Sequence, residues 1–138
     1  MMSMQFLDAN IFLRYLAQDN PKQSQACYEL FQRARRNEVT LTTSEATIAE
    51  VVYVLQSKQL YALSAEEIRT RLYPVLSMSG LKLPFRRMYL RALDLYATYR
   101  LDFEDALAIA QMERQKIIEI YTYDREFDRV PSIKRLEP

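Results

Sequence analysis

The sequence predicts an α/β fold built on a small parallel sheet, and three observations carry this prediction. Short apolar and β-branched runs alternate along the chain with longer segments of helical periodicity. Hydrophobic residues make up 49% of the 138 residues and charged residues 27%, as in chains that fold around a core. The single glycine, Gly80, argues against an all-β sandwich with many tight turns. We expect one domain over residues 1–138.

Periodicity and capping residues place the elements in order along the chain. The predicted elements are a strand at 4–7, a helix through residue 16, a helix at 22–36, a strand at 39–42, a helix at 45–58, a helix from about residue 65 that is interrupted near Pro74, a short strand at 81–83, helices at 86–99 and 103–115, a strand at 117–123 and an edge strand at 133–136. The helix at 45–58 is apolar nearly all round, so we expect it to be buried on most sides.

Two helix starts carry recognisable capping residues. Ser64 and Glu67 have the spacing of a capping box, in which each side chain bonds to the backbone of the other residue. Asp102 directly precedes the helix that begins at Phe103, so we expect its side chain to cap that helix.

Several residue types that enzymes use often are missing from the chain. There is no histidine, which excludes Ser-His-Asp and Cys-His nucleophiles and acid–base chemistry by histidine. One glycine excludes the P-loop and the dinucleotide-binding G-x-G-x-x-G motif. One cysteine without histidine excludes the usual structural zinc sites. The leading choice for an enzyme of this composition is a set of carboxylates with an oxygen-liganded metal.

Charge and hydropathy bound the partners and the compartment. Lys and Arg number 19 against 18 Asp and Glu, and a net charge of +1 gives no argument for nucleic acid. Most of the positive charge is Arg, which suits phosphate contacts and solvated helix surfaces equally. No apolar run approaches the ~20 residues of a membrane span, and the N-terminus lacks the features of a signal peptide. Cys27 has no second cysteine to pair with, and we expect a cytoplasmic protein without membrane association.

Four carboxylates are candidates for a common site. Asp8 and Asp124 each follow a predicted strand. Asp105 lies in the first turn of the helix before the Asp124 strand, and Glu50 lies on the helix after the second strand. If the strands are parallel, all four can meet at one sheet edge, where ligands bind in such folds. Acids this close repel one another unless a cation lies between them, so we expect Mg²⁺ or Mn²⁺ and phosphodiester hydrolysis.

Each of these acids also has a simpler structural interpretation. Asp8 could cap the first helix, and Asp105 could favour the dipole at its helix start. Asp124 could be an ordinary turn residue, and Glu50 could lie exposed on its helix. Both interpretations stay open at this point, because the convergence of the four acids depends on a predicted topology.

Four segments of the chain resemble the PIN-domain family, in particular the VapC-like toxin ribonucleases of bacterial toxin–antitoxin pairs. They come in the family's order and span nearly the whole chain, at Phe6–Leu16, Thr43–Leu55, Leu101–Ala110 and Tyr121–Asp128. The resemblance implies a three-layer α/β/α sandwich with a parallel sheet of about five strands.

The resemblance also implies which residues form the site. The acidic metal-binding positions correspond to Asp8, Glu50, Asp105 and Asp124. The polar supporting positions correspond to Asn10 and Thr122, and Phe127 matches an aromatic residue with a structural role. Asp102 and Glu104 are neighbouring acids that could take the third position, but Asp105-Ala106 fits the family pattern better.

The activity that the resemblance implies is Mg²⁺-dependent endonucleolytic cleavage of RNA by an activated water. Such toxins are typically homodimers and are silenced by a cognate antitoxin protein that occupies the active groove. Two alternatives remain: a catalytically silent PIN-like module that binds RNA or protein, and a plain α/β interaction domain whose acids are helix caps.

Overall fold

The computed structural model describes residues 3–138 and divides them into two compact units. The first unit ends at Arg86, and the second comprises Arg87–Pro138. Each unit contains helices and one pair of parallel strands. One domain over the whole chain therefore stays a prediction.

The first unit alternates short strands with helices, as predicted. Its elements are β1 (Met4–Phe6), α1 (Ala9–Ala17), α2 (Pro21–Arg35), β2 (Thr40–Thr42), α3 (Glu45–Gln56) and α4 (Ala65–Leu76). β1 pairs with β2 in parallel, with Met4 opposite Thr40. The strand predicted at 81–83 is reduced to a single parallel bridge between Leu41 and Leu81.

The core of the first unit fixes the start of α1. This helix packs against both α2 and α3. The buried rings of Phe12 and Phe31 lie with centroids 5.8 Å apart, and Tyr15 meets Phe31 edge-on at 4.7 Å. Such pairs add about 0.5–1.5 kcal/mol each beyond the area that they bury. Asp8, the residue before α1, is therefore attached to a rigid helix.

The burial of α3 differs from the prediction. Only one side of the helix is packed, through Ile48, Val51, Val52 and Leu55. The opposite side is exposed and carries Glu50 and Tyr53, whose side chain is 69% accessible. The expectation that α3 is buried on most sides is wrong: the helix packs against α1 and α4, and Glu45, Ala46, Glu50 and Tyr53 are exposed.

The start of α4 confirms the capping box, whereas its predicted interruption is wrong. The Ser64 Oγ accepts from the Glu67 N–H at 3.2 Å, and the Glu67 carboxylate accepts from the Ser64 N–H at 3.2 Å. The helix continues through Pro74 to Leu76. Because Pro74 lies in the last turn, it removes one backbone hydrogen bond, and Ser77 closes the turn by donating to the Tyr73 carbonyl.

The turn that follows α4 is held by Arg86. The guanidinium of Arg86 donates to the carbonyl oxygens of three residues of the turn, Leu76, Met78 and Leu81. Gly80 is required there, because a Cβ at this position would lie 2.1 Å from the Ala34 carbonyl oxygen.

The second unit holds the remaining elements. They are α5 (Arg86–Tyr99, which starts at the last residue of the first unit), α6 (Phe103–Arg114), β3 (Glu119–Tyr121), a 3₁₀ helix (Arg125–Arg129) and β4 (Lys134–Leu136). β3 pairs with β4 in parallel, with Ile120 opposite Arg135. Phe127 is buried at 5% accessibility, which confirms its structural role.

The α/β class and the parallel strands are confirmed, but the predicted five-stranded sheet is not observed. Within residues 3–138, the strands form two separate pairs, β1–β2 and β3–β4, and every strand is three residues long. The predicted strand at 117–123 is shortened to β3. A three-layer sandwich on one sheet therefore stays a prediction. None of the helices described over residues 3–138 is long and apolar enough to cross a membrane.

Candidate metal centre

Three carboxylates meet in the second unit and form what we term the acid cluster: Asp102, Asp105 and Glu126. One carboxylate oxygen from each lies within 4.8 Å of the other two. Asp102 directly precedes α6, Asp105 lies in its first turn, and Glu126 lies in the 3₁₀ helix. Carboxylate oxygens are the donors that hard divalent cations such as Mg²⁺ and Mn²⁺ prefer, so the donor set fits such an ion.

The side chain of Asp102 does not cap α6, which corrects the prediction. Asp102 occupies the position before the helix, but its carboxylate makes no capping hydrogen bond. A capping bond stabilises a helix by about 0.5–2 kcal/mol, so its absence has a cost. The carboxylate lies in the acid cluster instead, where its oxygens are available to a ligand.

The acid cluster carries a surplus of negative charge around a half-buried carboxylate. Partial burial raises the pKa of Asp105. The negative charges of four neighbouring acids raise this pKa further, and from the largest effect to the smallest these are Asp102, Asp124, Glu126 and Glu104. Arg129 lies 3.6 Å from the Glu126 carboxylate and offsets part of this charge. A bound cation would stabilise the ionised form of all these acids.

Asp124 follows β3 and shapes the turn into the 3₁₀ helix. Its carboxylate accepts a hydrogen bond from the Glu126 N–H at 2.9 Å, and its own N–H donates to the Thr122 Oγ1 at 3.0 Å. The Thr122 N–H in turn donates to the Leu136 carbonyl of β4 at 3.0 Å. Thr122 therefore fixes the backbone from which Asp124 projects.

Asp8 lies in the first unit, where it caps α1. Its exposed carboxylate accepts from the N–H of Asn10 at 2.5 Å, which confirms the capping interpretation. The preceding residue, Leu7, is held through both of its backbone polar groups: its N–H donates to the Thr42 carbonyl at 2.8 Å, and its carbonyl accepts from the buried Thr43 hydroxyl at 2.8 Å. A cap uses one carboxylate oxygen and leaves the other for a ligand.

The structure thus brings together part of the predicted site. Asp105 lies with Asp102 and Glu126, and Asp124 is close enough to raise the pKa of Asp105. Asp8 and Glu50 belong to the first unit, and Glu50 lies on the exposed side of α3. Their place in a common site with the acid cluster stays a prediction.

Sequence reasoning missed Glu126 and gave Asp102 a different role. The available signal for Glu126 was its spacing of two residues from Asp124, within the segment Tyr121–Asp128 that resembles the PIN-domain family. Asp102 was indistinguishable from an ordinary cap, because both roles place an Asp directly before a helix.

The family model described as PIN domain matches residues 6–133 of the chain. The matched range contains every acid discussed above, from Asp8 to Glu126. No curated protein sequence matches the chain.

Proposed function

Because the chain belongs to the PIN domain family, we propose that it is a metal-dependent endoribonuclease that hydrolyses phosphodiester bonds in RNA. PIN domains are commonly Mg²⁺-dependent nucleases. The observation that carries the proposal is the acid cluster, since three carboxylates within 4.8 Å of one another suit a divalent cation.

The proposed site extends beyond the acid cluster. Its members are the cluster residues Asp102, Asp105 and Glu126 together with Asp8, Glu50 and Asp124. In this proposal Asp8 and Asp124 would bind Mg²⁺ or Mn²⁺ directly or through water, and Asp105 and Glu50 would complete the acidic metal site. A divalent cation lowers the pKa of water and offsets negative charge that develops on a phosphoryl group. Asp105 and Glu50 orient the attacking water, and Asn10 and Thr122 support the ligands from the first turn of α1 and the end of β3.

We also propose a three-layer α/β/α sandwich with one parallel sheet of about five strands. Over residues 3–138, β1 pairs only with β2 and β3 only with β4. Phe6 at the end of β1 is 62% accessible, and Tyr121 at the end of β3 is 69% accessible. Strand side chains point to the faces of a sheet, and exposed apolar residues on a face favour a covering layer of helices, as the proposed sandwich requires. A shared parallel sheet would put Asp8 and Asp124 at the same edge.

The proposed biological role is that of a toxin in a toxin–antitoxin pair, acting as a homodimer in the cytoplasm and silenced by a cognate antitoxin. The resemblance of four segments to VapC-like toxins supports this role. We expect a short antitoxin-like reading frame beside the gene. We also expect that expression of the nuclease arrests growth and that co-expression of the neighbouring reading frame relieves the arrest. Growth that is unaffected by expression of the active nuclease would contradict the toxin role.

The cleavage assay uses purified protein, a mixed RNA pool, and Mg²⁺ or EDTA. We expect cleavage with Mg²⁺ and none with EDTA. Asp8→Asn should lower the rate at least about 100-fold, because it removes a charge that the transition state requires. The matched control is Glu38→Gln, which neutralises an acid paired with Arg36 on the surface of the same unit and should cleave like the wild type.

Two outcomes would contradict the nuclease proposal. Equal RNA loss with the wild type and Asp8→Asn would point to a contaminating nuclease. RNA binding without cleavage, in protein shown to hold Mn²⁺, would favour the alternative of a catalytically silent PIN-like module.

A further inference from the structure

Arg135 is a half-buried cation with three hydrogen-bond partners. It lies on β4, and only 14% of its side chain is accessible. Its Nε donates to the Asp128 carboxylate at 3.2 Å, and its Nη1 donates to the Thr122 carbonyl at 3.2 Å and to the Glu137 carboxylate. A cation buried to this extent, with its donors directed at named acceptors, holds those acceptors at fixed positions.

Two of the partners bracket a segment that we term the acidic turn, residues 122–128. Thr122 is its first residue and Asp128 its last. Between these anchors, hydrogen bonds continue from the Asp124 N–H to the Thr122 hydroxyl and from the Glu126 N–H to the Asp124 carboxylate. Asp124 and Glu126 are therefore connected through hydrogen bonds to Thr122, whose carbonyl accepts from Arg135.

The acidic turn needs such an anchor because its negative charge is repelled by the acids at the start of α6. Glu126 approaches Asp102 and Asp105, and all three are acids. Like charges at this separation push the turn away from α6 while no cation lies between them. Arg129 offsets part of the charge on Glu126 at 3.6 Å and donates to the Arg100 carbonyl at 2.7 Å, so it ties down the residue after the acidic turn, whereas Arg135 contacts the first and last residues of the turn itself.

We propose that Arg135 is a positioning residue for the metal centre, which keeps Asp124 and Glu126 in place for a divalent cation by clamping both ends of the acidic turn. This inference rests on the proposed function. Arginine suits the task because its planar group donates in two directions, towards Asp128 and towards the Thr122 carbonyl and Glu137. Lysine has a single ammonium group and cannot reproduce this geometry.

The experiment measures the binding of Mn²⁺ itself, with RNA cleavage as a second readout. Calorimetric titrations compare the wild type with Arg135→Met, Arg135→Lys and Asp128→Asn. The matched control is Lys134→Met, which removes a neighbouring charge of β4 whose surface partner, Glu119, lies at 4.0 Å. Circular dichroism in EDTA reports the folded fraction of each variant, so that Mn²⁺ affinity refers to folded protein.

We expect Arg135→Met to weaken Mn²⁺ binding by roughly 10–100-fold, the range found when residues that support metal ligands are removed. The Mn²⁺ concentration for half-maximal cleavage should rise by the same factor. At saturating Mn²⁺ the turnover rate should return to near the wild-type value, because the bound cation then holds the carboxylates. Arg135→Lys should recover part of the affinity, and Lys134→Met should leave it unchanged.

Three outcomes would overturn the inference. If Arg135→Met binds Mn²⁺ with wild-type affinity, Arg135 is not a positioning residue, whatever the folded fraction of the variant. The proposed nuclease function would still stand in that case. A wild type that binds no Mn²⁺ would remove the proposed function and the inference together. If Arg135→Met does not fold, Asp128→Asn decides, because it releases one anchor only. Affinity equal to that of the wild type would then exclude the clamp, and a several-fold loss would support it.

Discussion

At the scale of single residues, Asp105 shows how the site conflicts with stability. Its raised pKa means that the folded protein binds a proton more readily than the unfolded chain does. In metal-free protein, stability therefore falls as the pH rises from the unfolded pKa of a carboxyl through the raised pKa of the folded state. Partial burial is the largest cause of this shift, and repulsion from the surrounding acids adds to it.

The consequence is that Asp105→Asn should stabilise the metal-free protein. In EDTA at neutral pH we expect its Tm to exceed that of the wild type by roughly 1–4 °C, because the charge that burial and repulsion disfavour is gone. Added Mn²⁺ should raise the Tm of the wild type and not that of the variant. Thermal unfolding followed by circular dichroism, with and without Mn²⁺, measures both effects.

Glu104→Gln is the control, because Glu104 is the adjacent acid of the same helical turn but is not one of the three carboxylates of the acid cluster. It should keep the stabilisation by Mn²⁺. A Tm for Asp105→Asn in EDTA below that of the wild type would show that the carboxylate supports the fold and does not strain it.

Residue types alone predicted the acids but not their partners. Asp8, Asp105 and Asp124 stand out because each lies beside an element boundary. Whether Asp102 caps or joins the acid cluster depends on a side-chain rotation, and nothing in the sequence encodes that choice separately. Glu126 joins the cluster because a 3₁₀ helix follows Asp124, and short helices of this type have weak sequence signals.

At the scale of the elements, the capping box of α4 makes a contribution to stability that depends on pH, because one of its two partners is a carboxylate. The N–H of Ser64 donates to the Glu67 carboxylate, and this bond is the largest cause of the lowered pKa of Glu67. A lowered pKa means that the stabilisation is present above the unfolded pKa of a glutamate. It is lost as the pH falls through the folded pKa.

Glu67→Gln is therefore expected to change the pH dependence of stability. The amide keeps the hydrogen bond and removes the charge, so the variant should be less stable than the wild type at neutral pH. The difference in unfolding free energy between the two proteins should shrink as the pH falls into the acid range, where the wild-type carboxyl is protonated and therefore neutral like the amide. Urea unfolding between neutral and acid pH measures it. A difference that stays constant over this range would show that charge plays no part.

Element boundaries were predictable where local chemistry decides them and not elsewhere. The helix predicted at 22–36 begins one residue earlier, at Pro21, and the helix predicted at 45–58 begins at Glu45 as predicted, because caps act through neighbouring residues. Pro74 was expected to interrupt α4, but a proline in the last turn removes one hydrogen bond only. The strand predicted at 117–123 is longer than β3, because strand length depends on the partner strand and not on the run of β-branched residues.

At the scale of the whole molecule, the proposed five-stranded sheet makes a specific prediction for one amide. Successive amides of a strand point to opposite edges. The Leu7 N–H bonds to Thr42 of β2, so the Phe6 N–H points to the edge away from β2. If β1 lies within the proposed sheet, the Phe6 amide should exchange with solvent hydrogen within about tenfold of the rate at Leu7.

Hydrogen exchange followed by NMR measures both amides in the same sample. Exchange of the Phe6 amide at the rate of an unprotected peptide, beside a protected Leu7, would contradict a sheet that continues past β1. Topology of this kind was the least predictable feature. Three-residue strands contain too few positions to specify which strands become neighbours.

The central proposal is that Asp8, Glu50, Asp105 and Asp124 form one site for a divalent cation. The direct measurement is a calorimetric Mn²⁺ titration of the wild type, Asp8→Asn, Asp105→Asn and the double variant. We predict that each single variant loses at least about tenfold in affinity and that the double variant is little weaker than either, because a shared site is lost once. Wild-type affinity in Asp8→Asn, with a loss in Asp105→Asn alone, would contradict the claim and confine the metal to the acid cluster.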